Sequence, residues 1–469
     1  MCRLSYVFYD TETTGVATSF SQILQFAAVK TDDQLHEIDR FEIRCRLLPH
    51  IVPSPGALLV TGITPETLLD PSFPSHYEAI REIRRKLVEW SPAVFIGYNS
   101  IGFDEELLRQ ALFQTLHPPY LTNTKGSERS DAMRIAHAVH MYCPNTIAVP
   151  IDNSGRETFK LDKLAPVNGF DHTDAHEAMA DVEATIYVAN LARKKASDVW
   201  ETMRQFSNKT AVIEYVTSED RFSLSERYFG RMYSWLVTYC GKNPEYDSQL
   251  AVFDLEHDPD DYISLPVEDL IKVLNKSPKI IRVLTANRQP IMMSADMAPD
   301  SVKARSVSLE EQNRRVGVIR SNRGFLARVG EALARRFADR ETSPHVERQI
   351  YDGFISWDDQ ALLQEFHEAD QEERAHWLEK LVDPRLVELG QRLLFFENPD
   401  LLSNRKLAEM EDWLCARVLT DSSAVPWTTI PRALAEVEEL LLEEGRGEPG
   451  FLEEIKRFLE NRPGQLGLA

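Results

Sequence analysis

LSYVFYDTETTG, residues 4–15, runs from an apolar stretch straight into two acids. Leu4–Tyr9 has the aromatic and β-branched character of a strand. Side chains two apart on a strand share a face, so Asp10 and Glu12 stand side by side. Adjacent carboxylates repel unless a cation lies between them, and oxygen ligands favour a hard ion such as Mg²⁺ or Mn²⁺. Gly15 lets the chain bend closely past such a site. A D-x-E pair occurs by chance on many surface strands; the apolar lead-in and the trailing Thr-Gly set this one apart.

Further β-rich runs follow at Gln22–Lys30 and Phe41–Leu48, joined by polar turns, which predicts an antiparallel meander. PSPGALLVTGITP (53–65) reads as a Pro/Gly-rich loop. Ile80, Ile83, Leu87 and Trp90 recur at helical spacing in a predicted helix Tyr77–Trp90, and Ala93–Gly97 fits a buried strand. Helices are expected near 104–116, 129–141 and 175–195. A mixed five-stranded sheet flanked by helices is the simplest assembly. Beyond it, Arg231–Cys240, Gln249–Leu255 and Lys279–Leu284 alternate as strands do, in a mostly β region ending with a basic helix Arg323–Arg340. Residues 347–469 are Leu/Glu-rich and helical in period, as in Leu434–Glu444 and Phe451–Leu459. Pro344 and a change of charge mark the boundary before them.

With 469 residues the chain is long enough for two to four domains, and 43% hydrophobic residues can bury sizeable cores. No apolar run approaches membrane-spanning length, and MCRLSYVFYD lacks the parts of a signal peptide. Five scattered cysteines without a CxxC pair suit a reducing cytoplasm, and argue against disulfides and zinc. The net charge is −21, which speaks against a nucleic-acid partner until its distribution is considered. Residues 279–346 hold 13 Lys+Arg against 7 Asp+Glu, whereas 347–469 hold 13 against 27. The basic island fits either a phosphate-binding footprint or an ordinary solvated face.

Two more elements carry chemistry. In GYNSIGFDEELLRQALF (97–113) a buried strand ends and a helix opens at Asp104, either as a helix-capping acid or as a third carboxylate beside the first two. In DHTDAHEAMADVEATIY (171–187) Asp174 reads as a helix cap, His176 falls in the first turn and Asp181 a turn and a half later. A lone helical histidine is more often structural than catalytic. The small residues Ala175, Ala178 and Ala180 let this helix pack close to a sheet, so Asp181 points an acid toward core, where it needs a partner.

D-x-E on the first strand, N-x-x-x-F-D after a later one and H-x-x-x-x-D on a late helix resemble, in that order, the DEDDh exonucleases of ribonuclease H-like fold. PSPGALLVTGITPETL, GYNSIGFDEELLRQALF, FKLDKLAPVNGFDHTDAHEAMADVEATIY and IYDGFIS further resemble bacterial exonuclease I, in nearly full-length register and most strongly in the first 200 residues. The resemblance implies three units: an exonuclease domain over 1–197, an SH3-like domain over 198–345 and a helical domain over 346–469. It implies hydrolysis of single-stranded DNA from the 3′ end to 5′-mononucleotides, with a role in DNA repair. Asp10, Glu12, Asp104 and Asp181 would hold two Mg²⁺ ions, Mn²⁺ substituting, and His176 would be the general base. A cytoplasmic monomer is expected.

The substrate-binding set implied by the family is Glu12, Arg109, Tyr120, Arg134 and Lys160. Read from the residues alone, Arg109 and Arg134 are either phosphate contacts or solvent-facing arginines. Tyr120 either stacks on a base or packs on its own domain. Lys160 stands where the family has arginine in F-R-L, keeping the charge but not the planar fork. Asp131 reads as a structural acid or a salt-bridge partner, outside the metal set. Arg314, Arg315, Arg320, Arg323 and Arg328 either track the DNA backbone or receive the acidic C-terminal tail of single-stranded DNA-binding protein. Two rivals stand beside this reading: a proofreading or RNA-trimming exonuclease of the same fold, and a non-catalytic binding module on a retired nuclease scaffold.

Overall fold

The computed structural model describes residues 5–172, 176–336, 341–421, 423–443 and 445–468. Strand β1 (Tyr6–Thr13) is buried along almost its whole length, because its alternating side chains feed two separate cores. Val7 and Tyr9 pack with Ile80, Ile83 and Leu87 of the helix His76–Trp90 and with Leu107 of the helix Asp104–Gln114. Tyr6 and Phe8 pack on the other face with Ile135 and Val139 of the helix Ala132–Tyr142 and Val182 of the helix Ala178–Lys195. The result is a sheet covered by helices on both faces. With β2 (Ile23–Thr31), β3 (Glu37–Arg44), β4 (Val94–Gly97) and β5 (Glu128–Asp131), its order is β3-β2-β1-β4-β5. The meander β1–β2–β3 is antiparallel as expected, and β4 and β5 join in parallel.

Three local expectations are corrected. The third strand is Glu37–Arg44 rather than Phe41–Leu48. Residues 53–65 hold one short helix, Pro55–Thr61, and begin a second, Pro65–Leu68. Each begins with its proline, where the missing N–H has no helical partner to lose, so the supposed breakers are starters. The helix expected at 129–141 begins only at Ala132, and the residues before it form β5. ERSD has no apolar alternation to announce a strand; parallel pairing of Val94–Gly97 with Glu128–Asp131 fixes it instead.

The second sheet is antiparallel: β6 (Phe222–Tyr228), β7 (Arg231–Lys242), β8 (Gln249–Asp254), β9 (Ile281–Thr285) and β10 (Ile291–Ser294), ordered β10-β6-β7-β8-β9. β6 and β10 are additions to the strands read from sequence. Gln289 ties this sheet to the first: its Oε1 accepts from the Asp131 N–H at 2.7 Å, and its Nε2 donates to Ser130 Oγ at 2.6 Å. The basic helix spans Arg323–Arg335, and residues 337–340 of its expected extent lie outside the described residues.

Most arginines of the basic stretch have partners within the fold. Arg314 pairs with Asp258, Asp260 and Glu311, and Arg315 with Glu311. Arg320 donates to the Thr217 carbonyl at 2.9 Å and Arg328 to the Leu265 carbonyl at 3.0 Å. Clustered charge in a sequence says nothing about how many acids and carbonyls the fold will bring to it.

The C-terminal helices share cores with the first region instead of standing apart. Val418, Ile430, Val437 and Ile455 pack with Leu24, Leu58 and Leu68, and Leu363 and Phe366 pack with Tyr77 and Phe113. Glu347, 1% exposed, lies 2.9 Å from Arg392 and 3.0 Å from Arg417. Glu347→Ala leaves the buried Arg417 guanidinium without its counter-charge and Arg392 with Glu388 alone, and we expect it to cost about 3–5 kcal/mol in urea unfolding. A loss below 1 kcal/mol would mean that water reaches the pair.

Candidate active site

Parallel pairing places the C-terminal ends of β1, β4 and β5 at one edge of the sheet, where ligands of open α/β sheets bind. Asp10 and Glu12 leave β1 there. After β4 the chain makes a tight bend at Gly97, where a Cβ would stand 2.5 Å from Ser100 Cβ and 2.9 Å from the Tyr9 carbonyl oxygen. Asp131, at the end of β5, holds that bend. Its carboxylate accepts from the Asn99 N–H at 3.0 Å and the Ile101 N–H at 3.3 Å, and caps the next helix through Met133 N–H at 3.0 Å. The reading of Asp131 as a structural acid agrees with this geometry. The bend delivers Asp104 as the first residue of its helix, with Phe103 at the cap position, and Thr11 Oγ1 donates to Asp104 Oδ1 at 2.6 Å.

The helix Ala178–Lys195 lies across β1 and β2 and brings Asp181 to the same edge. Ala178, Ala184, Ala189 and Ala192 are buried on its packed side, so the backbone approaches the sheet closely. One oxygen each from Asp10, Glu12 and Asp181 lies within 4.8 Å of the other two. Asp104 stands outside that threesome but close enough to act on it. Burial first, then Asp104, Asp181 and Glu12, raise the Asp10 carboxyl well above the usual carboxylate range. Burial, Asp181 and Asp104 push Glu12 up to about 9. Burial raises Asp104 to about 7 against the pull of the Thr11 hydroxyl, and also raises Asp181, which His172 and His176 partly restrain. Crowded, desolvated carboxylates, with Arg44 only partly offsetting the charge at Glu12, must hold protons or bind a cation. An all-oxygen donor set fits a hard divalent ion.

His176 differs from expectation. It precedes the helix, which starts at Ala178 with Glu177 as its cap, rather than lying in the first turn. The cap is made by the Glu177 carboxylate accepting from the Ala180 N–H at 3.0 Å; Asp174, the expected cap, lies outside the described residues. His176 has φ +69°, and its N–H lies 3.4 Å from Asp181 Oδ1. Its side chain lines a cavity of 540 Å³ together with Asp181, Asn99, Phe159 and Lys160.

Two neighbours were not read from sequence. His172, with a side chain 1% exposed, has Nε2 2.8 Å from Asp181 Oδ1. That contact is electrostatic rather than a well-aligned hydrogen bond. Glu177 accepts from Gln25 Nε2 at 2.5 Å and faces Arg44 at 3.6 Å, adding negative charge beside Glu12. Each sits within five residues of a residue singled out, yet nothing in the local pattern marks it.

The expected substrate contacts separate. Arg134 lines a second cavity, of 520 Å³, with Arg288 of the second region; neither pairs with a carboxylate among the described residues. Lys160 lines the first cavity and is exposed. Arg109 is only 6% exposed. It donates to Glu105 Oε1 at 2.9 Å and Asn123 Oδ1 at 3.2 Å, and its guanidinium covers the Tyr120 ring at 5.2 Å. Tyr120 is half-buried beside Tyr351 and Phe354. Arg109 therefore braces its helix against the chain near Tyr351 rather than facing solvent, because Glu105 one turn earlier captures it.

An α/β sheet with crowded carboxylates at this edge defines a metal-dependent nuclease of the exonuclease class, and the exonuclease family model matches residues 7–189. The model of the exonuclease I C-terminal domain matches residues 344–462. Exodeoxyribonuclease I of Escherichia coli is 25% identical over 431 residues, 87% of this chain and 88% of that protein. Exonuclease I from Methylocaldum szegediense superposes with a TM-score of 0.85 at 24% identity, over 99% of this chain and 100% of that one. Escherichia coli exonuclease I in complex with a dA16 oligonucleotide gives 0.85 at 21%, over 98% and 100%. With both of its regions matched in order, the chain is similar to bacterial exonuclease I along most of its length. A short proofreading subunit is set aside by the second of those regions.

Proposed function

We propose that the chain is an exodeoxyribonuclease that digests single-stranded DNA from the 3′ end and releases 5′-mononucleotides. The observation that carries this is the convergence of Asp10, Glu12 and Asp181, with Asp104 adjoining, next to cavities lined by Arg134, Arg288 and Lys160. Two Mg²⁺ ions bound among the acids, or Mn²⁺ in their place, supply Lewis acidity toward the attacking water and the departing 3′-oxygen. Asp10, Glu12, Asp104 and Asp181 provide the oxygen ligands. His176, free in the cavity beside Asp181, takes the proton of the water. Arg134 and Arg288 neutralise backbone phosphates, and Lys160 adds a point charge near the scissile end. Tyr120 and Arg109 shape the wall behind them.

Three units, 1–197, 198–345 with an SH3-like sheet, and 346–469, divide the work between chemistry and strand retention. Single-stranded DNA is the substrate, and the acidic tail of single-stranded DNA-binding protein is the protein partner that fits a monomeric repair nuclease of this family. Among the described residues, no helix is long and apolar enough to cross a membrane. The test is release of mononucleotides from 3′-labelled single strands, duplexes and RNA with and without Mg²⁺. Metal-dependent release from single-stranded DNA is expected. Equal turnover in EDTA, or preference for RNA or duplex, overturns the proposal.

A further inference from the structure

Glu105 follows Asp104 in the first turn of its helix, yet it is only 1% exposed. An acid placed there only to favour the helix dipole would stand in water. Instead its Oε1 accepts from Arg109 Nε at 2.9 Å, Arg129 Nη1 at 3.2 Å and Thr122 Oγ1 at 2.5 Å, and its Oε2 accepts from the Tyr9 hydroxyl at 3.2 Å. A purely structural role would be to neutralise the two buried arginines. That role does not call for Tyr9. Phenylalanine would fill the same buried place without a hydroxyl to satisfy.

Tyr9 and Thr11 flank Asp10 on β1, and both reach the helix that carries Asp104. Tyr9 holds Glu105, and Thr11 Oγ1 donates to Asp104 Oδ1 at 2.6 Å. Strand alternation sets these two side chains on the face opposite Asp10 and Glu12. Asp104 is thus tied to the neighbours of Asp10, and neither bond engages the Asp10 carboxylate itself. Arg129 Nη2 continues to the Asn287 carbonyl at 3.1 Å, and Arg109 Nη1 to the Tyr351 hydroxyl at 3.4 Å. The second and third regions therefore brace the same joint.

Resting on the function proposed above, we propose that Glu105 is a positioning residue. By holding the Tyr9 hydroxyl it fixes the start of the Asp104 helix against β1, and so keeps Asp104 in place beside Asp10 for shared cation binding. Glu105 touches neither substrate nor ion; it acts through Asp104. Reactive constellations lose function when misplaced by about 0.5 Å. Thr11 sets the rotation of the Asp104 carboxylate, but only the Tyr9–Glu105 bond sets the helix that bears it.

The test uses the full chain with Tyr9→Phe, Glu105→Gln and the double variant. Tyr9→Phe removes one oxygen and keeps the packing, so it remains informative where Glu105→Gln, which takes the carboxylate from the buried Arg129, fails to fold. Mn²⁺ affinity is measured by titration calorimetry on the protein free of nucleic acid, and kcat and KM on 3′-labelled single strands. Affinity and kcat are expected to fall about tenfold in Tyr9→Phe and up to about a hundredfold in Glu105→Gln, the usual range for groups that orient metal ligands. KM should be nearly unchanged, because substrate is not touched. The double variant should be no worse than Glu105→Gln, since both changes break one bond. A lower Tm with unchanged Mn²⁺ affinity and kcat in Tyr9→Phe is what a merely structural bond gives, and it overturns the proposal. A wild type that binds Mn²⁺ but releases no nucleotide sinks the function reading alone; the Mn²⁺ affinities of the variants then decide the positioning role.

Discussion

Asp10→Asn is expected to abolish hydrolysis while making the metal-free protein more stable. Asp10 is raised by burial and by the carboxylates of Asp104, Asp181, Glu12 and Glu177, so the metal-free fold must keep on it a proton that the unfolded chain releases. Removing a metal ligand forfeits several kcal/mol of transition-state stabilisation, a fall in kcat of about a thousandfold or more. Asparagine is neutral in both states and needs no such proton, so Tm should rise by a few degrees, since 1 kcal/mol corresponds to about 2–4 °C in a large domain. The pH dependence has a definite sign. Glu12 stands at about 9 in the fold against an ordinary 4.5, so the fold favours its protonated form. Its contribution is intact below pH 4.5 and is lost as pH rises toward 9; Asp104 behaves likewise between 3.8 and about 7. The metal-free wild type should thus lose stability from mild acid to alkali, more steeply than Asp10→Asn, and Mg²⁺ should restore it only in the wild type. Calorimetry across pH, with and without Mg²⁺, checks both claims. A lower Tm in Asp10→Asn would show that the carboxylate is structurally required and the cluster is not a strained metal site.

What sequence reveals here follows the range of the physics. Asp10 and Glu12 are legible because the strand period is local: two residues suffice to put both acids on one face. Asp181 is legible because a helix dense in alanine signals close packing. For Arg109 the i,i+4 pairing with Glu105 is local, but its burial and its contact with Asn123 are not encoded there. For Arg314, Arg320 and Arg328 the sequence hides partners from other elements, such as Asp258 and the Leu265 carbonyl, whereas the pairing of Arg314 and Arg315 with Glu311 is local to their helix. β5 is invisible because its pairing with β4 is non-local and its four residues are mostly polar. Pro55 and Pro65 invite the opposite error, where a residue that ends helices is read without noting that it also begins them. Local periodicity survives translation into structure; charge partners do not.

His176→Gly should lower kcat by about a hundredfold to ten-thousandfold, the usual value of a positioned general base, with stabilisation by Mg²⁺ nearly unchanged. Glycine is the informative replacement. His176 has φ +69°, which glycine adopts without strain, and loss of the ring leaves space in the cavity for free imidazole. Rescue of turnover by added imidazole would assign the lost function to proton transfer rather than to shape. The buried His172 provides the contrast. Its ring lies against Asp181 with 1% of the side chain exposed, so it can orient that carboxylate but has no access to a water in the cavity. His172→Ala should therefore weaken the response to Mg²⁺ and gain nothing from imidazole. Two histidines four residues apart face the same acid, one from core and one from solvent, and only the solvent-facing one can exchange a proton with substrate water. Full activity in His176→Gly would transfer the base to another group and leave Asp181 as the sole reason for the histidine's position.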